Sequence, residues 1–112
     1  MSVVITAGAL ARVVTSAAEV DLLTASATGV ALTGVRSWSL MITTTQDVTV
    51  RVYKAAGVNC GFVLLSSLTA VVTSAAPRTI EASDEANVRL RVTAQATATA
   101  AAVNCDLRAV SL

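Results

Sequence analysis

The chain has 112 residues, enough for one ordinary domain, and more than half of them are Ala, Val, Thr or Ser. Charged residues make up 13% of the chain, which is about half the usual share, and the formal net charge is +1. This charge gives no electrostatic basis for binding nucleic acid. Because His is absent and only two Cys are present, metal sites and catalytic triads that use His are excluded.

The sequence shows no targeting or membrane-spanning segment. The first residues lack an early basic group, and no window approaches 18 consecutive apolar residues, so we expect neither a signal peptide nor a membrane span. We therefore expect a protein made in a cytoplasm. In such a reducing compartment, free buried thiols at Cys60 and Cys105 are favoured over a disulfide between them.

The first segment of the chain comprises Ser2, Val3, Val4, Ile5 and Thr6. It is short, uncharged and rich in β-branched residues, and Gly8 predicts a turn directly after it. Two interpretations stay open. The segment fits a first strand within its own sheet, and it also fits an arm that adds to the open sheet edge of a neighbour.

Residues 16–28 are ambiguous between strand and helix. The start of this segment fits a helix capping box, which favours a short helix. However, the string Val-Val-Thr-Ser-Ala-Ala occurs at residues 13–18 and again at residues 71–76, where Pro77 follows and disfavours helix. We interpret the string as the end of a strand in both places.

The clearest strands are predicted in the middle of the chain. In residues 35–43 and 47–54, large apolar side chains recur at every second position, which is typical of half-buried strands. Their short connection predicts a hairpin. Trp38 lies on the apolar face of the first strand, so we assign it to the core in preference to a ligand platform.

Further strands are predicted at residues 61–65, 68–73, 78–82, 87–93 and 103–108, and the Ala-Thr stretch at 94–102 is interpreted as an edge strand or a place of close sheet approach. The predicted fold is all-β: a single antiparallel β-sandwich or jelly roll of about eight strands, in one domain over residues 1–112, with 1–7 an arm or edge strand. The predicted core comprises Trp38, Leu40, Ile42, Val48, Val50, Val52, Val88, Leu90, Val92 and Leu107.

The sequence carries no pattern typical of an enzyme. It has no phosphate-binding loop, no Cys-x-x-Cys and only one Lys to activate a nucleophile. Glu81, Asp84 and Glu85 supply fewer oxygen ligands than a calcium loop usually does. We therefore expect a protein without catalytic residues, cofactor or metal.

Three arginines point away from the apolar faces of their strands and form one basic stripe if those strands are neighbours: Arg51, Arg89 and Arg91. Two interpretations are open. The stripe is either a solvated face paired with the acids at residues 81–85 or an interface that recognises an acidic partner surface.

Several segments together resemble the small β-sandwich virion proteins of tailed bacteriophages. The resemblance rests on four segments in this order: Val20-Asp21-Leu22-Leu23-Thr24-Ala25-Ser26-Ala27-Thr28-Gly29, the strand with Trp38, Asp47-Val48-Thr49-Val50-Arg51-Val52-Tyr53 and Asn87-Val88-Arg89-Leu90-Arg91-Val92. An opening strand rich in Leu, a hairpin with the aromatic residue and a late strand with Arg precede an Ala-rich return. The similarity extends over roughly residues 20–110.

The resemblance implies a non-enzymatic structural protein of the virion that binds and stabilises or decorates a phage capsid, made in the host cytoplasm. Its implied partner is the major capsid protein or another virion protein, and neither nucleic acid nor a membrane is expected. The chain is expected to form a homo-oligomer, with a trimer favoured. The interface is expected at the first segment, residues 2–6, and at the arginine stripe. A soluble adhesin or carbohydrate-binding module, or a tail-associated virion protein, is the alternative.

Overall fold

The computed structural model describes residues 3–23, 29–32, 35, 37–55, 61–83 and 89–110. These residues form ten strands and one 3-10 turn, Ser66–Leu68. The strands are β1 (Val3–Val14), β2 (Val20–Asp21), β3 (Val30–Ala31), β4 (Ser37–Thr44), β5 (Val48–Ala55), β6 (Val63–Leu64), β7 (Ala70–Val72), β8 (Arg78–Ser83), β9 (Arg89–Ala96) and β10 (Ala101–Val110). Within this part of the chain, no helix is long and apolar enough to cross a membrane.

The strands form two antiparallel sheets. Sheet A has the order β1-β10-β4-β8. In sheet B, β9 and β5 lie side by side at the centre, with β2 and β3 along the far side of β9 and β6 and β7 along the far side of β5. One cluster of buried side chains joins the inner faces of both sheets. The all-β sandwich expected from the alternating pattern is confirmed.

The predicted core is confirmed wherever the structure describes it. Trp38 is 4% exposed, and the other predicted core residues are all buried except Val88, which lies outside the described residues. The connections add further core residues that alternation does not reveal, among them Leu22, Leu23, Leu32 and Val35. These side chains lie next to short strands or between strands, where no run of alternating residues marks them.

The predicted hairpin of β4 and β5 is wrong. β4 pairs with β10 and β8 in sheet A, whereas β5 pairs with β9, β6 and β7 in sheet B. Alternation shows only that each strand buries one face, and both strands do so against the shared core. The connection between them also lacks the Gly or Asn residues that a tight hairpin turn prefers.

The β4–β5 connection crosses between the sheets beside the β9–β10 connection, and hydrogen bonds join it to that connection and to the start of β10. Thr45 N–H donates to the carbonyl of Ala102 at 3.1 Å, and Ala102 N–H donates to Thr45 Oγ1 at 2.9 Å. Thr97 N–H donates to the carbonyl of Asp47 at 3.1 Å. The Ala-Thr stretch at residues 94–102 is therefore the end of β9, a crossing and the start of β10, which corrects its interpretation as an edge strand.

The turn predicted at Gly8 is also wrong, because β1 continues through this residue without a break. Gly8 lies opposite Asp106 in β10, and a Cβ atom at Gly8 would overlap with the carbonyl oxygen of Cys105. The glycine is required for close approach of two backbones inside a sheet. Such a glycine has the same sequence signature as a turn glycine.

The repeated Val-Val-Thr-Ser-Ala-Ala string ends a strand in both places, as predicted. β1 ends at Val14 and β7 ends at Val72, and both of these valines are buried. The preceding valines, Val13 and Val71, are 67% and 56% exposed. Residues 16–23 contain bends and β2 but no helix, and residues 24–28 lie outside the described part of the chain.

Candidate functional site

The three arginines of the predicted stripe lie on the outer face of sheet B, on the neighbouring strands β5 and β9. Arg51 lies opposite Thr93, Arg91 lies opposite Tyr53, and Arg89 lies opposite Ala55. The sheet therefore brings the stripe together as the alternation indicated. Its acidic partners differ from those expected: Glu81 lies on β8 in sheet A, and Asp84 and Glu85 lie outside the described residues.

Asp21 is the partner of Arg91. β2 pairs with β9 so that Asp21 lies beside the arginine, and the guanidinium donates from Nε to Oδ1 at 2.7 Å and from Nη2 to Oδ2 at 3.2 Å. This bidentate hydrogen bond raises the pKa of Arg91. The guanidinium carbon also lies 5.3 Å from the centre of the Tyr53 ring, which is a cation–π distance.

Glu19 accepts hydrogen bonds from two hydroxyl groups of sheet B. Tyr53 donates to Oε1 at 2.5 Å and Thr93 Oγ1 donates to the same oxygen at 2.7 Å, while Arg51 Nη1 lies 3.7 Å away. The hydrogen bond from Tyr53 lowers the pKa of Glu19, against the opposing effect of burial, and Thr93 and Arg51 lower it further. Burial raises the pKa of Tyr53, and its hydrogen bond to Glu19 raises it further.

Other arginine side chains and Gln95 also donate hydrogen bonds within the chain. Arg51 Nη1 donates to Gln95 Oε1 at 3.0 Å, and the Gln95 amide donates to the carbonyl of Ser16 at 2.9 Å. Arg12 Nη1 donates to the carbonyl of Asp21 at 2.7 Å. Arg89 Nη2 donates to the carbonyl of Gly29 at 3.2 Å.

We call this network the polar cluster, and it comprises Glu19, Asp21, Arg51, Tyr53, Arg91, Thr93 and Gln95. Its contacts bind the segment after β1 to the outer face of sheet B, and Thr93 is fully buried beneath them. The charges of the cluster neutralise each other, and this holds the segment after β1 against the sheet. The proposed contact of the arginine stripe with an acidic partner stays a prediction.

The polar cluster could be only half predicted. Alternation placed Arg51 and Arg91 on one face, and the same alternation in β5 and β9 carries Tyr53, Thr93 and Gln95. Glu19 and Asp21 were missed because β2 has only two residues and its pairing with β9 spans more than 70 positions. Their alternation around Val20 was the signal that could have identified them.

The first segment lies in β1 and pairs with β10 of its own sheet. Val3 lies opposite Val110, Ile5 opposite Ala109 and Thr6 opposite Arg108, while Ser2 lies outside the described residues. This is the first of the two interpretations left open by the sequence. The arrangement leaves β1 as the outermost described strand of sheet A, so a contact of these residues with a neighbour stays a prediction.

The outer face of sheet A differs in character from the polar cluster, and we call it the sheet A face. Leu10 is 87% exposed there and Met41 is 54% exposed. An open groove of about 590 Å³ passes over Gly8, between the β1 residues from Thr6 to Leu10 and the β10 residues Asn104, Asp106 and Arg108. Exposed apolar side chains beside a groove are typical of contact surfaces.

Leu10 is the first residue of a β-bulge on this face. Ala9 lies opposite Cys105 and Arg12 lies opposite Val103, so Leu10 and Ala11 together lie opposite Asn104. Ala11 has a positive φ of 48°, and its amide donates to Asn104 Oδ1 at 2.7 Å. Asn104 therefore stabilises the bulge of which Leu10 is the first residue.

A second apolar surface lies at the edge of sheet B, along β6 and β7, and we call it the sheet B edge. Val63, Leu64 and Val71 are 57%, 43% and 56% exposed. Leu65 and Leu68 lie between these strands and pack against the core. The exposed side chains are thus continuous with the interior.

No cluster suited to metal binding lies in the described part of the chain. Within it, no three residues among His, Cys, Asp and Glu are grouped to hold a metal ion. Cys105 is a free thiol in the core, and burial raises its pKa to about 12, so it is neither a thiolate nor accessible at neutral pH. Cys60 lies outside the described residues.

Comparison with protein-family models, with curated proteins and with solved structures gave no match for this chain.

Proposed function

We propose that the chain is a non-enzymatic structural protein of a phage virion, which binds the major capsid protein and stabilises or decorates the capsid. The observation that carries the proposal is the contrast between its surfaces. The charged residues of the polar cluster bind each other, whereas large apolar side chains remain exposed on the sheet A face and on the sheet B edge. Two separate apolar surfaces suit a subunit that contacts neighbours on two sides.

The aromatic residues support this proposal over a carbohydrate-binding module. Sugar sites use exposed rings as stacking platforms. Trp38 lies in the core, the ring of Tyr53 is stacked by Arg91, and Phe62 is half-buried with its ring tip beside Gly29. The rings described by the structure are thus engaged in the fold.

The test uses capsids assembled from the major capsid protein encoded nearest to the gene of this chain. We expect the chain to co-sediment with these capsids at a saturating number of copies and to raise their disassembly temperature. Val71→Asp on the sheet B edge and Leu10→Asp on the sheet A face are each compared with Ala98→Asp, which adds the same charge at an exposed position of the β9–β10 connection.

The variant that loses capsid binding identifies the contacting surface. Failure of the unmodified chain to bind contradicts the proposed function. Equal binding by all three variants contradicts the assignment of the contact to the two apolar surfaces. A capsid gene in the neighbourhood is itself an expectation of the proposal.

A further inference from the structure

We infer that the sheet A face is the contact between two copies of this chain, related by a twofold axis that crosses β10 at Leu107. The inference goes beyond the proposed function, because the contact is between copies of the chain and does not require a capsid. It rests on the charges of β10, on the position of Leu10 and on the size of the face.

The charges on this face complement themselves. Asp106 and Arg108 are exposed and lie on the outer side of β10, on either side of the inward-pointing Leu107. An axis in the plane of the interface and perpendicular to β10 at Leu107 makes the two β10 strands antiparallel. Asp106 of each copy then faces Arg108 of the other, which gives two equivalent ion pairs and no contact between like charges.

The same axis also covers Leu10. Asn104 and Val110 are equally distant from Leu107 along β10, and Leu10 lies beside Asn104 at the bulge. The axis places β1 of one copy over β1 of the other, so Leu10 of each copy lies over the start of the other β1, where Val3 pairs with Val110. This removes the most exposed large apolar side chain of the described residues from water. Next to the ion pairs, Gly8 has no side chain and Thr6 has a short one, which allows the sheets to approach.

The area of the face is sufficient for a weak but specific dimer. Four strands spaced by about 4.8 Å and about eight residues long cover roughly 500 Å² per copy, or roughly 1,000 Å² for the pair. This equals the lower limit of specific interfaces. We therefore expect a dimer in the micromolar range that is strengthened when many copies are held on one assembly.

Charge reversal is the test of the axis, with the mass measured by light scattering and sedimentation over a concentration series. Asp106→Arg and Arg108→Asp each place like charges opposite each other, so each is expected to weaken dimerisation by about tenfold or more. The double variant Asp106→Arg/Arg108→Asp restores both ion pairs with their signs exchanged. We expect its dimerisation constant to return to that of the unmodified chain.

Leu10→Asp tests the apolar contact and Val71→Asp is its matched control, because Val71 is exposed on the sheet B edge and the added charge is the same. We expect Leu10→Asp to be monomeric and Val71→Asp to dimerise normally. Circular dichroism and melting curves establish that every variant remains folded.

A folded chain that stays monomeric at high micromolar concentration overturns this inference, as does a trimeric mass. So does a double charge reversal that is weaker than either single one. A monomer that binds capsids would overturn the dimer but agree with the proposed function. A dimer that does not bind capsids would overturn the proposed function but agree with the dimer. The two failures are therefore distinguishable.

Discussion

Tyr53 and Glu19 are joined by a 2.5 Å hydrogen bond from the phenol hydroxyl to the carboxylate, on the outer face of sheet B. The bond connects the centre of the sheet to the connection that follows β1. Since Thr93 donates to the same carboxylate oxygen, one charged group satisfies two hydroxyls of neighbouring strands. The contribution of Glu19 to the polar cluster is therefore greatest while its carboxylate is ionised.

Acid is therefore expected to weaken the fold through Glu19. The folded state lowers the pKa of this group below its ordinary value of 4.5, so its contribution is complete above that pH and is lost as the pH falls through the lower folded value. Glu19→Gln keeps the shape but removes the titration. We expect a smaller loss of unfolding free energy between pH 5 and pH 3 in urea titrations of this variant.

Glu81→Gln is the matched control, because it removes one exposed carboxylate from β8 in the other sheet. The same loss of pH dependence in both variants would contradict the role given to Glu19. Measurements at low and high salt separate this local effect from the general charge of the chain.

Ala11→Gly is expected to stabilise the protein. The positive φ of 48° at Ala11 strains a residue with a Cβ atom, and glycine removes this strain. The gain is reduced by the greater freedom of glycine in the unfolded chain, which leaves about 0.5–1 kcal/mol. Urea unfolding gives the value, and Ala31→Gly in β3 is the control, where we expect a destabilisation.

Asn104 holds the bulge through an exposed hydrogen bond, so Asn104→Ala is expected to cost about 0.5–1.5 kcal/mol by removing the acceptor of the Ala11 amide. Because the two residues are in contact, the effects of Ala11→Gly and Asn104→Ala should not add. Additive changes in the free energy of unfolding would show that the hydrogen bond from the Ala11 amide to Asn104 does not hold the bulge.

The elements that could be predicted from the sequence are those with a strict local pattern. Trp38, Val50 and Val92 were assigned correctly because burial of one face imposes a period of two on any half-buried strand. The same pattern does not specify the partner of a strand, so β4 and β5 looked like a hairpin although they lie in different sheets.

The candidate sites show the same division. The outward direction of Arg51 and Arg91 follows from alternation, but their acids come from the two-residue strand β2, whose pairing is fixed by distant contacts. The bulge in β1 was unpredictable for another reason. Leu10 keeps the alternation of Thr6 and Gly8 on the outer face, and the inserted residue at Ala11 shifts the alternation of the residues that follow.

Trp38→Ala is expected to destabilise the chain by about 3–5 kcal/mol, because the indole is buried and its removal leaves a cavity. Circular dichroism in urea measures this change, since the variant lacks the one tryptophan of the chain. Trp38→Phe fills most of the space and should lose far less. A change below about 1 kcal/mol in Trp38→Ala would contradict the burial of the ring.

Cys105 is expected to be unreactive until the sandwich unfolds. Its side chain lies in the core, and burial raises the pKa of the thiol to about 12, so the nucleophilic thiolate is scarce in the folded chain. In the unfolded chain the group returns to its ordinary pKa of 9.0, which means that its contribution to stability is complete below that value and is lost as the pH rises towards 12.

The reaction is best followed in a Cys60→Ala background, where Cys105 is the one remaining thiol. We expect a thiol reagent to modify Cys105 at the rate of unfolding, with the rate rising steeply in urea, and Cys105→Ala to show no reaction. The unfolding free energy of the Cys60→Ala chain should decline above pH 9 more than that of the chain lacking both thiols. Rapid modification of the folded chain at neutral pH would contradict this prediction. It would show that β10 opens locally, with a free energy lower than that of global unfolding.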